Sequence, residues 1–194
     1  MVAAVILASG YSRRMGENKL LLKYNNKYLI EYVLDAVISC SFHEILLIGR
    51  DENILTLAKS RGIKTVFNSK AHLGQSESIK LGIENSDMVD GYMFFTGDQP
   101  FIDKYTIERL LEAFYKYKDR VIVPKVKERR GSPVIFPISF RDELLNLQGD
   151  QGGKVIINNN LDKVKFIGLE NEKAFLDIDT KEDYKNICSI KKEE

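Results

Sequence analysis

The stretch that most constrains this chain is its start, where Ala3-Ala-Val-Ile-Leu-Ala8 is apolar without interruption. A run of that length reads as a β-strand buried on both faces, which needs helices above and below it. The pattern that follows supplies them. Leu29, Ile30, Val33, Leu34, Val37 and Ile38 form one helical stripe. Strands are predicted at Glu44 to Ile48, Ile63 to Phe67 and Tyr92 to Thr96, with helices at Asn53 to Arg61 and Gln75 to Ile83 between them. Ile107, Leu110, Leu111 and Phe114 continue the alternation behind Asp103, a candidate N-cap. A short strand at Val121 to Val123 is expected to end at Pro124. Beyond it the pattern loosens: a strand at Val134 to Phe136, possible in antiparallel sense, short helices near Leu144 and Val155, a strand around Phe175 to Asp179 and a helix from Lys181. Such βαβα alternation predicts an α/β fold of three layers, α-β-α, around a mostly parallel mixed sheet.

Length and charge narrow the classes. At 194 residues the chain fits one domain, taken as 1–190 with the terminal Lys-Lys-Glu-Glu at 191–194 as a frayed tail. Lys and Arg number 29 against 28 Asp and Glu, so no basic excess points to nucleic acid, although a few local cations suffice for a small anion. Cys40 and Cys188 are too few for a disulfide framework; both sit in apolar helical patterns and are expected to be buried thiols in a reducing compartment. No apolar run approaches the ~20 residues of a membrane span, and Val2 to Ala8 lacks the charged start and cleavage pattern of a signal peptide. The expectation is a cytoplasmic protein with neither membrane nor nucleic-acid partners.

Ligands of open parallel sheets bind beyond the carboxyl ends of the strands, so polar residues directly after strands carry the functional reading. The first strand runs into Ser9-Gly10-Tyr-Ser-Arg13-Arg14-Met-Gly16-Glu-Asn-Lys19. Small residues at Ala8, Ser9 and Gly10 let backbone N–H groups approach a ligand, and Arg13, Arg14 and Lys19 place cations on the same loop, as a polyphosphate requires. Neither GxxxxGK[ST] nor GxGxxG is present. A solvated basic loop is the plainer alternative; its position after the first buried strand favours phosphate. Thr96-Gly97-Asp98-Gln99-Pro100 delivers a carboxylate to the same edge, either as a ligand for Mg²⁺ or as a turn cap before proline. Asp177 and Asp179 flank Ile178 and share a face if extended, which makes Asp179 a second candidate metal ligand, while Thr180 with Asp183 reads as a helix cap. Asn68 and Gly74-Gln75-Ser76-Glu-Ser78 open the third helix; Ser76 and Ser78 either cap it or help read a base and ribose. Gly131-Ser132 and Gly149-Asp-Gln-Gly152-Gly153-Lys154 are Gly-rich turns that either grip a phosphate or are plain loops. His43 and His72 have no metal-ligand spacing, and no nucleophile elbow or Ser/His/Asp set is present.

Taken together, Leu7-Ala-Ser-Gly-Tyr-Ser-Arg-Arg-Met-Gly-x-x-Lys-Leu-Leu-Leu22 resembles the LAAGxSxRMGxxKLLL signature of nucleotidyltransferases related to molybdenum cofactor cytidylyltransferase. The likeness continues in order through Gly74-Gln-Ser-x-Ser-Ile79, Gly97-Asp-Gln-Pro100, Gly131-Ser-Pro-Val-x-Phe136, Gly149-Asp-x-Gly-Gly153 and Asp177-Ile-Asp-Thr180. The resemblance implies a Rossmann-like nucleotidyltransferase fold and Mg²⁺-dependent transfer of CMP from CTP to the phosphate of molybdopterin, with pyrophosphate released. It implies Arg14, Lys19 and Asp98 as catalytic residues. Leu7, Ala8, Ser9, Gly10, Asn68, Gln75, Ser76, Ser78 and Gly97 would line the nucleotide site with Arg14 and Lys19, and Asp98 and Asp179 would hold the metal. Topology together with the resemblance assigns the acceptor to Gln99, Pro100, Gly131, Ser132, Gly152, Gly153 and Lys154. A molybdoenzyme apoprotein would be a transient partner. Ser9 stands where cytidylyl members carry Ala, whereas Gly-Gln-Ser-Glu-Ser replaces the Gly-Pro-Leu-Ala-Gly of guanylyl members and favours CTP. Nucleotidyl transfer to a sugar phosphate or methylerythritol phosphate, or a non-catalytic cofactor carrier, are the alternatives.

Overall fold

Strand β1 (Val2–Ala8) sits near the middle of the sheet, and its alternate residues serve two separate cores. Val2, Ala4, Ile6 and Ala8 face one; Ala3 and Val5 face the other. The computed structural model describes residues 1–190, so the expected frayed tail lies outside the described residues. In chain order β1 is followed by a hairpin of β2 (Lys23–Tyr24) and β3 (Lys27–Tyr28), α1 (Leu29–Ile38), β4 (Glu44–Gly49), α2 (Glu52–Lys59), β5 (Lys64–Phe67) and α3 (Gln75–Glu84). Then come β6 (Gly91–Thr96), α4 (Lys104–Lys116), β7 (Val121–Val126), β8 (Arg129–Arg130), β9 (Val134–Pro137), α5 (Arg141–Leu145), α6 (Gly153–Asn159), β10 (Val164–Gly168) and α7 (Lys181–Ile190).

The main sheet runs β10-β7-β9-β6-β1-β4-β5, with β8 paired to β7. All pairings are parallel except those of β9 with β6 and β7 and of β8 with β7. Apolar stripes of α1, α2 and α4 pack on one face through Ile30, Val33, Ile54, Ile107 and Phe114. On the other face α3, α5 and α6 contribute Ile79, Ile83, Leu144 and Ile156. This is the three-layer α/β arrangement expected from the alternation.

Several local expectations are corrected. Strand β7 does not stop at Pro124 but continues to Val126. Proline lacks the N–H of a ladder residue, yet its carbonyl still accepts from Gly131 N at 3.0 Å, and β8 pairs with the residues just after it. No strand forms at Phe175 to Asp179; a 3-10 turn spans Glu172–Phe175 and extended chain follows. The strand in this region is instead β10, whose polar alternation hides it beside β7. Cys40 is buried, but Cys188 is exposed, because α7 buries the neighbouring Ile187 and the next position turns outward.

Candidate active site

The register of the parallel strands decides what meets at the sheet's edge. Leu7 lies opposite Thr96, and Gly97 N donates to Leu7 O at 3.1 Å, so the loop after β1 and the Gly97-Asp98 segment after β6 leave side by side. Lys19 returns to them in a 3-10 turn, Lys19–Leu21. Asn18 caps that turn by accepting from Leu20 N, and it donates from its amide to Asp51 at 2.9 Å. A third segment arrives without sheet pairing: Ile178 N donates to Asp98 O at 3.0 Å, and Ile178 packs with Leu29 and Ile187. Asp177 and Asp179 therefore flank a buried Ile178 although no strand forms.

These pieces converge on one ammonium. Lys19 Nζ donates to Asp98 Oδ2 and to Asp179 Oδ1, each at 2.6 Å, with only 12% of the lysine side chain exposed. Arg14 Nη2 donates to the other oxygen of Asp179 at 3.0 Å. Burial by itself would lower the Lys19 pKa, but the charge of Asp98 and hydrogen bonds to both carboxylates outweigh it and hold the ammonium above the ordinary lysine value. The hydrogen bond from Lys19 in turn holds Asp179 below the usual carboxylate range. Asp177 goes the other way: burial and the charge of Asp98 push it up, against a 2.8 Å hydrogen bond from Gln99 Nε2 and the charge of Arg129. The second oxygen of Asp98, Oδ1, is buried without a hydrogen-bond partner.

Two cavities adjoin this point. The smaller, about 480 Å³, is bordered by Ser9, Gly10, Arg13, Arg14, Lys19, Gly97, Asp98 and Asp179. The larger, about 1000 Å³, has Phe94, Phe136 and Phe175 in its walls together with Gln99, Arg129, Arg130, Lys154 and Asp177. Leu7, Gln75, Thr96 and Asp150 border both. Of the residues assigned to the nucleotide from sequence, Leu7, Ser9, Gly10, Arg14, Lys19, Gln75, Ser78 and Gly97 line the smaller cavity. Ala8, Asn68 and Ser76 are buried outside both linings. Of the acceptor set, Gln99, Gly131, Ser132, Gly152, Gly153 and Lys154 line the larger cavity, while Pro100 lies outside both.

The small residues act mainly by letting segments approach. Gly74 has φ +115°, and a Cβ there would lie 2.2 Å from the Gly149 carbonyl carbon, so the two Gly-rich loops touch backbone to backbone. Ser76 N donates to Gly149 O at 3.1 Å, and Gly74 itself is the helix N-cap, so neither Ser76 nor Ser78 caps α3. Ser9 Oγ donates to Ile48 O at 3.1 Å, and Asn68 Nδ2 reaches Ser78 Oγ at 3.0 Å and Ser9 Oγ at 3.3 Å. This buried network ties β1, β4 and α3 beneath the site and turns the Ser9 hydroxyl toward backbone. Thr180 and Asp183 form the reciprocal cap read from their spacing. Among the described residues no cluster of three or more His, Cys, Asp or Glu is arranged to hold a metal. The pair Asp98 and Asp179, with an orphaned buried oxygen and an ammonium now between them, does fit a hard cation that shares its other positions with phosphate and water.

The family model for the MobA-like NTP transferase domain matches residues 4–164. The chain belongs to that family. A relative named "Probable molybdenum cofactor guanylyltransferase" from Natranaerobius thermophilus is 33% identical over 64% of this chain, and the match spans 60% of that relative's length. One with the same name from Thermococcus sibiricus is 29% identical over 94% of this chain and 95% of its own. Rv0371c of Mycobacterium tuberculosis H37Rv shares the fold at 22% identity, with a TM-score of 0.84 and 97% of each chain covered; a manganese complex of the same protein scores 0.81 at 21% identity, covering 97% and 98%. Within this family member, sequence reasoning passed over Arg129 and Arg130, which line the larger cavity. Arg129 and Arg130 directly precede Gly131, which was the available signal. No helix of the described residues is long and apolar enough to cross a membrane.

Proposed function

We propose that this protein transfers a nucleoside monophosphate from a nucleoside triphosphate to the terminal phosphate of the molybdenum cofactor, with CTP as donor and pyrophosphate as leaving group. The observation that carries this reading is Lys19 held between Asp98 and Asp179 where a cation-lined cavity meets a larger one walled by Phe94, Phe136 and Phe175. The triphosphate fits the smaller cavity. There Arg14 and Lys19 exchange their carboxylate partners for phosphate oxygens and neutralise the departing charge. The acceptor fits the larger cavity, with its phosphate directed past Thr96 and Asp177. An oxygen of that phosphate attacks the α-phosphorus in line; the new P–O bond forms as the bond to the β-phosphate oxygen breaks, and its electron pair leaves with pyrophosphate. A phosphate nucleophile is already anionic at neutral pH, so positioning and charge stabilisation suffice. Asp98 and Asp179 would hold Mg²⁺, which when bound supplies charge neutralisation at the triphosphate.

Gly74-Gln-Ser-Glu-Ser78 supports CTP. GTP is the second reading, supported by the names of the relatives. Pyrophosphate release is measured with Mg²⁺, molybdenum-loaded molybdopterin and each of CTP, GTP, ATP and UTP. Release with CTP alone is expected; preference for GTP would replace the donor and keep the reaction. Release only with sugar phosphate or methylerythritol phosphate acceptors would replace the acceptor. Absence of release with every pair would leave a carrier.

A further inference from the structure

Arg129 and Arg130 are neighbours on the short strand β8, so their side chains leave it on opposite sides. Arg130 Nη1 donates to Asn158 Oδ1 at 2.9 Å, and its guanidinium lies 5.1 Å from the Phe166 ring centre, which fastens it toward α6 and β10. Arg129 points the other way, with Nη2 3.4 Å from Asp177 Oδ2. Asp177 borders only the larger cavity and Asp179 only the smaller, although Ile178 alone separates them. Arg129 is thus the arginine of the larger cavity that reaches the chain segment forming the junction.

An anionic group crossing from the larger cavity toward the smaller meets the carboxylates of Asp98, Asp177 and Asp179. Lys19 and Arg14 border only the smaller cavity and are engaged with Asp98 and Asp179. Such a group needs a cation on its own side that is free to turn. Arg129 meets both conditions. Its side chain is 63% exposed, and its contact with Asp177 is looser than the 2.6 Å contacts of Lys19. The planar guanidinium can offer a phosphate two parallel N–H donors in place of one weak carboxylate contact.

We propose that Arg129 swings from Asp177 to grip the reacting phosphate of the acceptor, so that the larger cavity selects phosphate monoesters carried on a body that packs against Phe94, Phe136 and Phe175. The proposal rests on nucleotidyl transfer to a phosphorylated acceptor. Asp177 then acts as a parking site that holds the guanidinium at the junction until the acceptor arrives.

The test is a calorimetric titration of nucleotide-free protein with 6-hydroxymethylpterin phosphate and with its dephosphorylated alcohol. Wild type should bind the phosphate form more tightly. Arg129→Ala should weaken that form about tenfold and leave the alcohol unchanged, with Arg129→Lys in between. Asp177→Asn, which releases Arg129, should tighten the phosphate form. A merely structural ion pair would make Arg129→Ala and Asp177→Asn weaken both ligands alike, and that result overturns the proposal, as does equal wild-type affinity for the two ligands. CTP and GTP titrated into the same wild-type protein report separately: if neither binds, nucleotide transfer falls, and the Arg129 comparison is still read on its own terms.

Discussion

The two cavities share a border but are built by different means. The smaller is closed by charge: Lys19 and Arg14 pair with Asp98 and Asp179 across segments that are distant in sequence. The larger is shaped by close packing, with Gly131 against the Phe175 ring and Gly153 against the Phe136 ring, where a Cβ would lie 2.2 Å and 2.8 Å from ring carbons. The lesson is that similar-looking motifs do different jobs. Cationic loop residues line the smaller cavity, whereas Gly131 and Gly153 of the second half are glycines because aromatic rings occupy the side-chain space.

Breaking the charged side should have the largest effect. Lys19→Met should lower kcat/KM for the nucleotide by about 10²–10³-fold, in the range seen when a pre-set cation or donor is removed from a transition state. It should also tighten Mn²⁺ binding to nucleotide-free protein about tenfold, read by electron paramagnetic resonance, because the ammonium no longer sits between the two carboxylates. Unchanged Mn²⁺ affinity would separate the lysine position from the metal position.

Gly74→Ala breaks the contact between the two Gly-rich loops beside the smaller cavity. The residue would need a strained positive φ and would strike the Gly149 backbone, so a loss of about 2 kcal/mol or more is expected in urea unfolding. Asn68→Ala leaves the buried Ser78 and Ser9 hydroxyls short of a partner and should cost about 1–3 kcal/mol, with nucleotide affinity changed less than stability. A nucleotide effect larger than the stability effect would move Asn68 into the binding site.

The smallest effect is a pH dependence. Because Asp179 has a lowered pKa in the folded chain, its stabilising contribution is present above the ordinary Asp value of 3.8 and disappears as pH falls through the lowered value. Asp177 behaves oppositely: its raised pKa makes the folded state bind a proton first, so its burial penalty is relieved as pH falls through that raised value. Carboxyl carbon NMR should therefore show Asp177 titrating above Asp179; the reverse order would contradict the assigned partners.

Much of this was legible in the sequence because local pattern and tertiary role coincide in the first half. The apolar run of β1, the stripe of α1 and the Asp103 cap are local signals that the fold keeps. The meeting of Asp98 and Lys19 could be anticipated because each follows a strand or a small-residue loop at the sheet edge. The second half was harder because its structure depends on partners. Strand β10 has a polar outer edge and is defined by β7, and the Asp177–Asp179 segment is held extended by Asp98 O and a buried Ile178 rather than by a ladder. Asn68 and Ser76 read as ligand contacts from their position after β5, yet burial places them beneath the cavity. Arg129 carries no local signal of its partner, since Asp177 lies far along the chain.

The most direct test follows the label from [α-³²P]CTP in single-turnover reactions of wild type and Asp98→Ala with Mg²⁺ and molybdenum-loaded molybdopterin, alongside nucleotide titrations of both proteins. Wild type is expected to move the label to the acceptor with one pyrophosphate released per transfer, while Asp98→Ala still binds CTP and transfers nothing measurable. Transfer by Asp98→Ala at the wild-type rate would remove Asp98 from the chemistry.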